Sequence, residues 1–204
     1  MLVTSGRFIL ASASPRRIEL LSLLGLRFEI MPSHVDEKFM QGETPREHVL
    51  RLSEEKSKRA AVAHPDAWVM GADTIVIING EVLGKPRSRD EAKEMLGKLS
   101  GRVHTVFTGF SVTKRSNSIL IRDAVESTVR FREIPDDEMA WYIESEEPYD
   151  KAGGYAVQGM GAFFIKEIHG SYTNVMGLPL CEVVDVLKSV GAIVFTGGSH
   201  GVNI

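Results

Sequence analysis

Cysteine is nearly missing: Cys181 is the single one in 204 residues, which excludes an internal disulfide and a cysteine-built zinc cage. It follows Gly177-Leu178-Pro179-Leu180 at the start of an apolar helix, with no base beside it, and reads as a buried small apolar residue rather than a nucleophile. Long hydrophobic runs are also lacking. Phe8 to Ala13 and Leu20 to Leu26, the longest near the N-terminus, are too short for a signal-peptide core with its cleavage site or for a membrane span. A cytoplasmic location without membrane contact is expected. No charge of one sign dominates: 24 Lys and Arg against 27 Asp and Glu leave a net −3, which argues against a general grip on a nucleic-acid backbone. The chain contains no Gly-x-x-x-x-Gly-Lys-Ser/Thr phosphate loop and no His-x-x-x-His pair. A Walker-type nucleotide site and a zinc-protease helix are therefore disfavoured.

What remains is an ordinary globular composition, 43% hydrophobic and 25% charged, long enough for one large domain or two small lobes. Arg7 to Ala11 predicts a short buried strand that runs into Ser12-Ala13-Ser14-Pro15-Arg16-Arg17. There Ser14 suits an N-cap, Pro15 the first helical position, and Gly25 the end of the helix. Phe28 to Met31 is a second strand, and Thr44-Pro45-Arg46-Glu47 is a capping box opening a helix to about Ala63. Trp68 to Gly71 and Ile75 to Ile78 read as strand halves interrupted by Ala72-Asp73-Thr74, with a hairpin turn at Asn79-Gly80. Ser88 to Glu91 opens a helix ending near Leu99, and Val103 to Thr113 and Ser118 to Phe131 are strands. Helices follow from Ile134 to about Ser145 and from Leu178 to Val190, around a glycine-rich region at Asp150 to Ile168. Strands alternating with helices make this α/β with some antiparallel pairs. Residues 1–192 form the domain and 193–204 a tail, loose from Phe195 on.

Four segments combine polar residues with turn geometry. At Ser12 to Arg17, free N–H groups of a helix start and two guanidinium forks suit an anion. A capped surface helix with solvated arginines is the alternative, and the serine-flanked loop directly behind an apolar strand favours the anion. Asp73, between two apolar strand halves, is costly to bury unless paired, protonated or bound to metal. It is either a hydrogen-bonded turn residue or, with Glu37 in reach, a metal ligand or a base for a water. These hard oxygen donors favour magnesium or manganese over zinc. Lys85, in Gly84-Lys85-Pro86, and Lys56, in the long helix, gain meaning only if they converge on one pocket. In Asp150 to Gly159, glycines permit close backbone approach and Gln158 offers a donor and an acceptor to a nucleobase edge. A tight strand connection explains the same glycines. His104 reads as a structural imidazole.

Together these segments resemble the Maf family of nucleotide pyrophosphatases. The shared pieces are Ser12 to Arg17, Asp36-Glu37, Glu55-Lys56, Gly71-Ala72-Asp73-Thr74, Lys85-Pro86, Leu99-Ser100-Gly101 with His104, Asp150 to Gly153, Gln158-Gly159, Gly170-Ser171-Tyr172 and Val175 to Pro179. They keep a consistent order over about residues 7 to 190. The resemblance implies a mixed α/β, ITPase-like fold in which helices flank an elongated mixed sheet and two lobes enclose a cleft. It implies hydrolysis of a nucleoside triphosphate to the monophosphate and pyrophosphate with a divalent metal cation, magnesium or manganese. Asp73 matches the family's proton acceptor, Glu37 with Asp73 its metal site, and Ser12, Arg17, Lys56 and Lys85 its phosphate-side positions. Arg16, Thr74 and Gln158 match the positions that mark the branch acting on dTTP and UTP. A homodimer is common among such enzymes. Two rival readings stay open: a phosphatase releasing orthophosphate, and a non-catalytic nucleotide-binding regulator linked to cell division.

Overall fold

A computed structural model describes residues 1–196 of the chain. In chain order the strands are β1 (Leu2–Thr4), β2 (Phe8–Leu10), β3 (Glu29–Ile30), β4 (Trp68–Ile78), β5 (Glu81–Leu83), β6 (Val103–Lys114), β7 (Ile119–Phe131), β8 (Ile165–His169) and β9 (Ile193–Phe195). The helices are α1 (Pro15–Leu23), α2 (Pro45–Ala63), α3 (Arg89–Leu99), α4 (Asp136–Ile143), α5 (Tyr172–Met176) and α6 (Leu180–Ser189), with short 3₁₀ turns between α4 and β8. The main sheet runs β3-β2-β4-β6-β7-β8, and β5 hairpins onto β4. β2 is parallel to β3 and β4, and every other pair is antiparallel. The fold is therefore mixed α/β. No helix among the described residues is long and apolar enough to cross a membrane.

The two largest apolar clusters share the sheet face that looks away from α2. One gathers Phe8, Leu20, Leu21, Met70 and Phe110 with Val183 and Leu187 of α6. The other packs Leu96, Leu99, Phe131, Tyr142 and Phe164 around α3 and α4. Val183 and Leu187 lie one turn apart and turn α6 inward, which puts Cys181 on the outer side. The thiol is exposed, not buried as its apolar neighbours suggest.

Two further expectations are corrected. Ala72-Asp73-Thr74 does not interrupt β4: the strand pairs with β6 without a shift from Val69 opposite Thr113 to Ile77 opposite Thr105. The buried carboxylate meets a partner across the sheet face, so no break is required. The stretch from Ile193 to Phe195, assigned above to the tail, is strand β9 against β1, with Ile193 opposite Thr4 and Phe195 opposite Leu2. Three residues are too few to show a periodic pattern. Residues 197–204, the rest of that tail, lie outside the described residues.

What positions the site is the close seat of α2 on β4 and β6. Thr44 accepts the Glu47 N–H while the Glu47 carboxylate accepts from the Thr44 N–H, so the capping box is reciprocal. Beyond it the helix backbone reaches the sheet at two glycines, one on each strand. A Cβ on Gly71 would stand 2.2 Å from the Ser53 carbonyl oxygen, and one on Gly109 would stand 2.4 Å from that of Val49. Ser111 Oγ donates to the Ser53 carbonyl at 2.7 Å and meets Ser57 Oγ at 2.7 Å, fixing the helix laterally. Gly71→Ala should consequently lower unfolding stability by about 1–3 kcal/mol through over-packing. Urea denaturation checks this, and an unchanged midpoint would disprove the close seat.

Candidate active site

β2 ends on Leu10 and leads through Ala11 to a loop and the N-terminus of α1, where Pro15 occupies the first helical position. Ser14 does not cap through its side chain. Its N–H instead donates to Ser12 Oγ at 3.3 Å, which folds the Ser12–Ser14 turn against the helix start. Arg17 points inward from the first turn and its donors are spread over three segments. Nε donates to the Gly177 carbonyl at 2.8 Å, Nη1 to the Ala72 carbonyl at 2.9 Å and Ser12 Oγ at 3.1 Å, and Nη2 to Thr74 Oγ1 at 2.9 Å. Burial lowers the Arg17 pKa while the charge of Asp73 works the other way. With four bonds to protein acceptors, its guanidinium is a strut between α1, β4 and the α5–α6 turn.

On the opposite face of β4, alternation turns Asp73 toward α2. Lys56, its side chain only 9% exposed, donates to Asp73 Oδ1 and to Glu37 Oε1, each at 2.7 Å. One ammonium thus joins a strand carboxylate to a loop carboxylate. Burial works to raise the Glu37 pKa, but the Lys56 hydrogen bond and the charges of Lys56, Lys85 and Arg17 prevail and lower it. The loop is pinned just beyond Glu37: Arg51 Nη2 donates to the Lys38 carbonyl at 3.0 Å, and its Nε to Glu43 at 2.6 Å.

Ser12, Arg17, Glu37, Lys56, Asp73, Thr74 and Lys85 all line one cavity of about 410 Å³. The two lysines therefore do converge. Arg16 and Gln158 do not line it. Arg16 Nη1 instead lies 3.6 Å from Asp150 Oδ2, and Asp150 is itself on the cavity wall. Gln158 is exposed, the first exposed residue after the buried run from Gly153 to Val157. Two participants escaped the sequence reading. Asp150 belongs to a quoted motif but carried no role. Asn174, fully buried, donates to the Val106 carbonyl at 3.2 Å and Ser127 Oγ at 2.9 Å. It fixes the turn whose Gly177 carbonyl receives Arg17, and an isolated Asn in a five-residue helix gives no signal of that.

Glu37 and Asp73 are hard oxygen donors converging on one point, a pair whose chemistry would fit a magnesium or manganese ion. Among the described residues no cluster of three or more His, Cys, Asp or Glu side chains stands ready to hold an ion unaided. His104 lies apart from the cavity: its Nε2 is 2.8 Å from Tyr155 Oη, and Phe131 and Tyr155 meet its ring edge-on. Burial pushes its pKa down to about 4.

A mixed sheet with an anion-ready helix start and a carboxylate–lysine–carboxylate group defines a phosphate-handling α/β protein. The fold is similar to that of the Ham1 protein of Staphylococcus aureus, with a TM-score of 0.51, 14% identity, and coverage of 91% of this chain and 97% of that one. The family model described as Maf-like protein matches residues 7–190, and the chain belongs to the Maf family. A relative from Syntrophus aciditrophicus (strain SB) named dTTP/UTP pyrophosphatase is 60% identical over 194 residues, 95% of each chain. A relative of the same name from Geotalea uraniireducens (strain Rf4) is 48% identical over 193 residues, 95% of this chain and all of that one.

Two outcomes are expected. Lys56→Met should raise the Glu37 pKa, followed by the side-chain carboxyl ¹³C shift during titration; an unmoved titration would remove Lys56 as its partner. For His104, the unfolded ring takes a proton near pH 6.5 and the folded ring only near 4. The unfolded state therefore binds more protons in between, and the stability present above pH 6.5 is lost as the pH falls toward 4. In His104→Gln that component is gone, so the gap in urea midpoint between the two proteins should narrow on acidification. A gap independent of pH would mean the folded ring titrates normally.

Proposed function

We propose that this protein is a nucleoside triphosphate pyrophosphatase that hydrolyses dTTP and UTP to the monophosphate and pyrophosphate. The observation that carries this reading is the single Lys56 ammonium held at 2.7 Å from both Asp73 and Glu37, on the wall of the cavity that the α1 N-terminus also lines. Membership of the Maf family and the names of the two relatives support it.

Cleaving a phosphoanhydride calls for charge neutralisation and an aligned water more than for covalent catalysis. A water oxygen attacks the α-phosphorus, the bond from that phosphorus to the bridging oxygen breaks, and pyrophosphate leaves with the electron pair. Asp73 takes the proton released by the water. It suits that role because its strand fixes it, it is only 7% exposed, and Lys56 occupies Oδ1 and leaves Oδ2 for the water. Lys56, Lys85 and the N–H groups of the α1 start hold the phosphate tail. Arg17 serves the same tail through its charge and by fixing Ser12, since four of its five N–H donors are committed to protein acceptors. Glu37 and Asp73 are the residues that would hold magnesium or manganese, which when bound supplies further neutralisation of phosphate charge. Arg16, Thr74 and Gln158 select the pyrimidine.

Asp73→Asn should fold normally and lose turnover by a factor of about 10² to 10⁴, the usual worth of a positioned general base. The assay compares UTP, dTTP, CTP and GTP with magnesium or manganese and resolves the products by chromatography. Orthophosphate as the product would replace this reading with a phosphatase. Nucleotide binding without turnover in the wild type would replace it with a regulator.

A further inference from the structure

The carboxylate of Glu147 has no place in the chemistry above, yet it makes three hydrogen bonds at the far rim of the site. Glu147 opens a 3₁₀ turn, Glu147–Asp150, just behind α4. Oε1 accepts from Tyr142 Oη at 2.9 Å and from the Gly161 N–H at 2.8 Å, and Oε2 accepts from the Met160 N–H at 2.8 Å. All three donors are neutral, and among the described residues no cation forms an ion pair with it. Such a carboxylate closes a loop of chain rather than balancing a charge. Tyr142 is fully buried in the α3–α4 cluster, so the anchor itself does not move. Gly159 completes the fit: a Cβ there would lie 2.1 Å from Glu147 Oε2. A side chain after Gln158 would thus have to push the Glu147 carboxylate off its donors, although the φ of −116° is open to any residue.

Both ends of the closed segment bear on base selection. Gln158 lies two residues before the first clasped N–H, that of Met160, and follows a buried run that Tyr155 fastens to His104. Asp150, at the other end of the turn that Glu147 opens, pairs with Arg16 and lines the cavity. The Gly153 N–H donates to the Gly84 carbonyl at 3.0 Å, which ties the same segment to the loop bearing Lys85.

We infer that Glu147 is a positioning residue for base selection, fixing the backbone that presents Gln158 while making no contact with the reacting groups. This rests on the reading of Gln158 as a base-selecting residue. Hydrogen bonds to a nucleobase edge weaken steeply with distance and angle, so releasing the clasp degrades discrimination before it degrades chemistry.

The test is kcat/KM for UTP, dTTP, CTP and GTP in wild type, Glu147→Gln, Gly159→Ala, Gln158→Ala and the Glu147→Gln/Gln158→Ala double variant. The amide introduced by Glu147→Gln turns a donor toward one of the two backbone N–H groups, and the methyl introduced by Gly159→Ala displaces the carboxylate from the opposite side. Each single clasp variant should lower the UTP-to-CTP ratio about tenfold, the worth of one to two hydrogen bonds. The double variant should be no less selective than Gln158→Ala alone, because both changes remove one function. A merely structural role would instead lower all four rates together and add in full to Gln158→Ala. That result, or a wild-type ratio in both clasp variants, overturns the proposal. If Gln158→Ala itself keeps the wild-type ratio, the base-selection reading falls and the proposal with it. Should Glu147→Gln fail to fold, Tyr142→Phe, which removes one donor of three, is judged by the same ratio.

Discussion

The site depends on an ammonium group buried between two carboxylates. Lys56 leaves the middle of α2, passes into the space between helix and sheet, and ends 2.7 Å from oxygens of Asp73 and Glu37. Without it two negative charges would face each other across the cavity. With it they stand close and partly neutralised on one wall. Burying such a group is expensive unless every partner is in position, and the surrounding structure can be understood as meeting that condition. Gly71 and Gly109 let α2 approach to backbone contact, the Ser53, Ser57 and Ser111 bonds hold it there, and the capping box sets where the helix begins.

The loop that brings Glu37 has little apolar anchorage, and its rigidity comes from α2 as well. Arg51 grips the Lys38 carbonyl and both oxygens of Glu43, His48 stands 2.9 Å from the same carboxylate, and Phe39 stacks on the His48 ring at 3.6 Å. The Arg51 guanidinium holds the Glu43 carboxyl down at about 2, well below the ordinary carboxylate range. One helix therefore supplies the central cation and the fastening for one of the two anions it joins. The other anion belongs to the sheet. Arg17 does the comparable work on the reverse face, where it joins helix start, strand and the Gly177 turn.

Much of this was legible in the sequence, and the limits have physical causes. Pro15, the Thr44–Glu47 box and Asn79-Gly80 act within a few residues, so the helix starts and the hairpin could be placed from local chemistry. Asp73 stands out as a carboxylate between apolar strand halves, whereas Lys56 and Lys85 join it only through the family resemblance, since a lone lysine in a polar stretch reads as solvated. The nature of that partnership was hidden: a carboxylate flanked by Ala72 and Thr74 reads as a break in a strand until Lys56 is seen to reach it from 17 residues away. Arg17 is expected from the sequence to hold phosphate, and only its acceptors on distant segments, Ala72, Thr74 and Gly177, reveal that most of its donors are already used. Arg16 and Gln158 fit the expected motif positions but stand off the cavity wall, and Asp150 stands on it. Cys181 was misjudged because apolar neighbours in sequence do not specify which side of a helix faces inward. Pairing of β1 with β9 joins segments nearly the whole chain apart, beyond any local signal.

Asp73 and Thr74 are neighbours on β4, yet one serves the α2 face and the other bonds Arg17 and Thr108 on the opposite face. Sliding β4 by a single residue against β6 would turn Asp73 to the wrong face and leave either Thr74 or Ala72 beneath Lys56. An insertion or deletion within this strand would therefore scramble both halves of the pocket at once. The exposed Asn79-Gly80 bend a few positions later lies beyond that register, so a change of length there leaves the alternation through β4 as it is.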